Sequence, residues 1–122
     1  MVPPSGQPLS GPVPLCRLDQ LPDGGARGFD PDGAGEDTIF AVRRGAQVHV
    51  YRNDCPHNHR PLEYMRHRFL SADGSTIVCY AHSAHFRIED GVCVHGPCLG
   101  QALQAVPARV EQGVVLLEYQ RP

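Results

Sequence analysis

Tryptophan is absent from these 122 residues, and so is any excess of basic charge: eleven Lys and Arg stand against thirteen Asp and Glu, for a formal charge of -2 and a pI near 6.4. That balance gives no electrostatic footprint for nucleic acid or for an anionic membrane surface. No apolar run approaches the roughly 20 residues of a membrane-spanning helix. The first fourteen residues carry Pro3, Pro4, Pro8, Pro12 and Pro14 but no basic start, no apolar stretch and no twin-arginine pair. We expect residues 1–14 to be a flexible Pro-rich tail rather than a secretory signal, and the protein to be cytoplasmic. Helical periodicity is weak throughout. Thirteen Gly and twelve Pro, about a fifth of the chain, favour turns and short strands over long helices.

Strand signals are frequent. Thr38–Val42 and Val48–Tyr51 flank Arg43-Arg44-Gly45-Ala46, which reads as a hairpin turning at Gly45. Thr76–Val78 runs into Cys79 after a turn at Asp73-Gly74. His85–Ile88 and Val92–Val94 flank Asp90-Gly91, and Gln104–Val110 and Val114–Tyr119 flank Glu111-Gln112-Gly113; both read as further hairpins. Pro14–Leu18 is expected as an edge strand, Pro22–Asp37 as loop, and Pro61–Arg68 as a possible site of one helical turn. Six to eight short strands in a single domain imply an antiparallel all-β sandwich or barrel. Its core is expected to include Val48, Val50, Ile77, Val106, Val114 and Leu116.

Five cysteines, Cys16, Cys55, Cys79, Cys93 and Cys98, are an odd number and argue against a disulfide framework. Two of them open short pairs that carry chemistry. Cys55-Pro56-His57 reads C-x-H, Cys79-Tyr80-Ala81-His82 reads C-x2-H, and 21 residues separate His57 from Cys79. Each pair offers one thiolate and one imidazole, and each lies at a strand end entering a loop. Together they supply a Cys2His2 set, suited to zinc or to a mixed-ligand iron–sulfur centre. Zinc fingers and ribbons use C-x2-4-C or H-x3-5-H spacings, which these pairs do not match.

The pattern resembles the Rieske [2Fe-2S] family, whose motif is C-x-H followed by C-x2-H. Around the pairs, Pro61-Leu62 matches the family's frequent P-L, and Phe86 the aromatic position after the second His. Asp90-Gly91-Val92-Cys93 matches the turn, and Gly96-Pro97 the proline loop over the cluster. The resemblance spans about residues 38–119, within a Rieske domain placed at 15–122 whose cluster-binding loops, forming a small subdomain, lie at about 54–98. It implies one [2Fe-2S] cluster per chain, with Cys55 and Cys79 on the inner iron and His57 and His82 on the outer. High-potential members carry a disulfide across the two loops, where this chain has Asn58 and Tyr80. They also carry hydroxyls at the positions of Ala84 and Phe86. Fewer donors imply a low potential, on the order of -150 mV. Ser83 stands where the family has glycine, a strain if φ is positive there.

The resemblance implies a ferredoxin of the bacterial oxygenase type: not an enzyme itself, but a carrier taking one electron from a flavin reductase to a terminal oxygenase. Two other readings are a small Rieske-like subunit of a larger reductase, such as nitrite reductase, and a zinc-binding interaction module. His59 and His85 are placed near the ligand loops. His49, His67 and His95 are read as surface or partly buried, Cys16 and Cys93 as core fillers, and Cys98 as a packing residue in the covering loop.

Overall fold

The structure is a computed structural model and describes residues 12–56, 60–63, 65–80 and 83–118. Among the described residues, nine strands form three antiparallel three-stranded sheets. Strands β2 (Ala26–Phe29), β3 (Ile39–Arg44) and β4 (Gln47–Arg52) make the first, in that order. In the second, β1 (Val13–Arg17) and β8 (Ala108–Glu111) flank β9 (Val114–Leu117). The third consists of β5 (Thr76–Cys79), β6 (Ala84–Arg87) and β7 (Cys93–His95).

Strand β3 organises the packing. Successive side chains point to opposite faces of a strand, and here both faces are covered. Phe40 and Val42 enter one core cluster, shared with Phe69, Ile77 and Phe86 near the third sheet. Ile39 and Ala41 enter a second, shared with Val50, Val115 and Leu117. Phe40 stacks on Phe69 with ring centroids 4.3 Å apart and planes 8° from parallel. Burial of each such ring contributes roughly 2–3 kcal/mol. The first and second sheets are joined where Val106 donates its N–H to the Val50 carbonyl at 2.8 Å and Arg52 donates to Gln104 at 2.9 Å.

The expected hairpins at Gly45, at Asp90-Gly91 and at Gln112-Gly113 are present, as is the β1 edge strand. At Gly91 a side chain has no room: φ is +73°, and a Cβ would lie 2.7 Å from Cε1 of Tyr51.

Four expectations are corrected. Residues 26–29 are strand β2, not loop. Ala-Arg-Gly-Phe has little intrinsic β preference, and its pairing with β3 supplies the order. Residues 104–106 do not belong to the last hairpin, because their backbone pairs with β4 instead. Strand β9 buries Val115 and Leu117 rather than Val114 and Leu116; a continuous apolar run does not reveal its inward phase, and pairing of Val115 with Cys16 sets it. No helical turn forms among the described residues of 61–68, which are bends and turns.

Candidate metal centre

The two cysteines of the expected ligand pairs lie in the first core cluster and are fully buried, at 0% exposure, with Cys79 at the end of β5. Cys55 lies just past β4. Its N–H donates to the Arg60 carbonyl at 2.9 Å, folding the first loop back on itself. Asn53 fastens that loop from inside: its Oδ1 accepts from the Leu62 N–H at 2.9 Å, while its Nδ2 donates to the Asp37 carbonyl at 3.0 Å and to Glu63 Oε1 at 2.8 Å. No spacing rule draws attention to Asn53.

A backbone hydrogen bond ties the second loop to the first. Tyr80, directly after Cys79, donates its N–H to the Leu62 carbonyl at 2.9 Å and its hydroxyl to the Leu70 carbonyl at 2.6 Å. Residues 57–59, 64, 81 and 82 lie outside the described residues, and with them His57, His82 and His59. The described half of the donor set, two soft sulfur ligands enclosed by Leu62, Ala84 and Phe86 in one apolar cluster, fits thiolate ligation of a buried iron.

The frame around these cysteines matches several sequence expectations. Ser83 has φ +57°, the left-handed conformation that the missing glycine would ease. Ala84 and Phe86 are both at 0% exposure and present no hydroxyl. Gly96 packs against Ala84 so closely that a Cβ would lie 2.7 Å from the Ala84 Cα, with φ at +105°. This seats the Gly96-Pro97 loop over the start of β6. Cys98 is a third buried thiol beside the centre. Burial, then its hydrogen bond to Cys93, then the nearby charges of Cys93 and Cys55, push it up to about 12.

The remaining histidines divide by contact. His85 is half-buried, with Nδ1 2.8 Å from the Thr76 hydroxyl and its ring edge-on to exposed His95 at 5.6 Å. His67 is structural: at φ +71°, it accepts the Gly28 N–H on Nδ1 at 3.0 Å. His49 is half-buried in β4. Arg43 donates to the carbonyls of Leu21 at 3.0 Å and Gly45 at 2.7 Å.

Comparison with known proteins places this architecture. The Rieske [2Fe-2S] domain matches residues 11–113. The ferredoxin of carbazole 1,9a-dioxygenase from Nocardioides aromaticivorans IC177 superposes with a TM-score of 0.70 and 30% identity, over 88% of this chain and 97% of that one. The Sphingomonas yanoikuyae B1 ferredoxin superposes with a TM-score of 0.69 and 22% identity, over 92% of this chain and 100% of that one. A chain from the complex of reduced oxygenase and oxidized ferredoxin in carbazole 1,9a-dioxygenase gives 0.69 and 21%, over 93% and 98%. At these lower identities the likeness is one of fold. Among curated proteins, none matches the chain. With the domain match covering most of its length and the all-β architecture shared throughout, the chain belongs to the Rieske [2Fe-2S] family, whose cofactor is a [2Fe-2S] cluster.

Proposed function

We propose that the chain is a Rieske-type ferredoxin, a one-electron carrier that takes its electron from a flavin reductase and delivers it to a terminal oxygenase. The likeness to a carbazole-dioxygenase ferredoxin, 30% identical over 97% of that chain, carries this reading. When bound, a [2Fe-2S] cluster supplies a one-electron couple with no bond made or broken in a substrate. The chain's own residues hold it, keep water from its inner side and set its potential. In this reading the Rieske domain takes in β1, so it begins no later than Val13 rather than at residue 15, and about 54–98 are the loops that hold the cluster.

Cys55 and Cys79 hold the inner iron, which agrees with their complete burial; His57 and His82 hold the outer one. Replacement of two thiolates by two neutral imidazoles lowers the site's negative charge and raises its potential above that of an all-cysteine cluster. Ala84 and Phe86 offer no hydroxyl to the sulfurs, so the reduced, more negative state gains less support. The potential falls near the bottom of the Rieske range, on the order of -150 mV. None of the described helical segments is long and apolar enough to cross a membrane. The thiols of Cys93 and Cys98, in contact and unlinked, suit the reducing cytoplasm.

The deciding measurement is the visible and EPR spectrum of the purified protein before and after dithionite. We expect a Rieske signal in the reduced state, lost in His57→Ala and in His82→Cys. A colourless protein with stoichiometric zinc would overturn the reading, and survival of the signal in either variant would overturn the ligand assignment.

A further inference from the structure

Three cysteines remain outside the ligand set, Cys16, Cys93 and Cys98, and two of them meet. Cys93 opens β7 and is 2% exposed; Cys98, in the loop that follows, is 1% exposed. Their sulfurs face one another at 3.1 Å, with Cys98 as donor and Cys93 as acceptor. The Cys93 thiol donates onward to the His95 carbonyl at 3.2 Å. The backbone holds this arrangement on both sides. Gly100 donates to the Cys93 carbonyl at 3.2 Å, Gln101 to the Cys98 carbonyl at 2.8 Å, and Cys93 to the Gln101 carbonyl at 2.7 Å. Two cysteines serving only as small apolar fillers have no need to meet sulfur to sulfur. To become a disulfide the pair closes by only about 1 Å, to the bonded length of about 2.05 Å.

We propose that Cys93 and Cys98 form a modification site: a buried dithiol that hydrogen peroxide oxidises to a disulfide spanning Val94–Pro97. The Cys93 thiol, the acceptor of the pair, gives up its proton and attacks as thiolate. A sulfur–oxygen bond forms, the peroxide O–O bond breaks, and the departing hydroxide takes up a proton to become water. The sulfur of Cys98 then attacks the sulfenic sulfur of Cys93. The S–S bond forms, the S–O bond breaks, and the second hydroxide leaves as water with the Cys98 proton. Two thiols give up two electrons and the peroxide accepts them. At 2% and 1% exposure the two sulfurs are closed to bulky disulfides, so the proposal takes a water-sized oxidant. The link would covalently close the loop whose Gly96 rests on Ala84, beside the end of β5 where Cys79 pairs with Ala84. The proposal stands apart from the electron-carrier reading, since its readout is a covalent mass.

The test treats the cluster-loaded protein with hydrogen peroxide at exposures that leave its visible spectrum intact. The protein is then denatured in N-ethylmaleimide and digested with trypsin without reduction. Both cysteines fall in one tryptic peptide, residues 88–109. We expect this peptide to be lighter by two hydrogens and free of maleimide, and to take up two maleimides after dithiothreitol. A doubly alkylated peptide after peroxide, or a cross-link from Cys98 to Cys55, overturns the proposal. In Cys98→Ser the reaction halts at the sulfenic acid of Cys93, which dimedone traps. An untouched Cys93 there overturns the order of attack, while the wild-type measurement stands whether or not that variant folds.

Discussion

Asn53 shows how much one side chain holds in place beside the centre. Its three hydrogen bonds link β4, the residues before β3 and the return of the first loop. Asn53→Leu keeps the volume and orphans the buried Leu62 N–H, a loss of about 1–3 kcal/mol. We expect faster bleaching of the visible bands in the presence of an iron chelator. Tyr51 is a comparable buried donor: its hydroxyl donates to the Ile88 carbonyl at 2.6 Å. Burial, then the charges of Asp90 and Glu89, push the phenol up to about 12, so it remains protonated and donating at neutral pH. Asp73 carries a pH signature at the surface. Hydrogen bonds from the Ser75 hydroxyl, the Ser75 N–H and the Ser71 hydroxyl lower its carboxyl from 3.8 to about 2. A depressed acid supports the fold fully above its unfolded value and loses that support as pH falls through the folded one. The contribution of Asp73 therefore fades between about pH 4 and pH 2. Its carboxyl carbon should titrate near pH 2 by NMR, and Asp73→Asn should flatten the acid limb of the stability curve.

At the scale of elements, the contact between Phe40 of β3 and Phe69, just ahead of β5, couples the first sheet to the strand that ends in Cys79. Phe69→Ala removes the stack and leaves a cavity, at a cost of about 3–5 kcal/mol. Urea unfolding followed by circular dichroism should report it, whereas Phe69→Leu should lose markedly less. The turn between β6 and β7 is set by Gly91 against Tyr51. Gly91→Ala combines a left-handed backbone with a methyl 2.7 Å from the ring, for an expected loss of about 2–4 kcal/mol. The hairpins were legible in the chain because Asp-Gly and Gln-Gly punctuate alternating apolar runs. Strand β2 was not, because its order comes from a neighbour 12 to 14 residues on, as the pairing of Phe40 with Gly28 and of Ala41 with Arg27 shows.

Across the whole molecule, the sheets bury their apolar faces in two clusters and leave a few large side chains outside. Leu99 is the most exposed of these at 67%, on the same loop as Pro97. In the proposed electron carrier, an exposed leucine on this loop is suited to a short-lived contact with a partner. Leu99→Asp should slow reduction by the cognate reductase roughly tenfold, an effect of about 1.4 kcal/mol on the barrier. The potential and the spectrum should be unchanged, so stopped-flow kinetics would isolate the docking step. Ala84→Ser places a hydroxyl at the start of β6, where donation to the centre should raise the midpoint potential in a spectroelectrochemical titration.

The amino-acid order alone determined the two Cys/His pairs proposed as ligands, the turns and the all-β class, because each is a matter of residue type at short spacing. It also determined the absence of hydroxyls at Ala84 and Phe86. Tertiary packing decided the rest: the inward phase of β9, the existence of β2, the three-way role of Asn53 and the meeting of Cys93 with Cys98. Each of those depends on which distant backbone lies alongside, and a hydrogen bond or a buried face offered by a far segment leaves no mark in the local pattern.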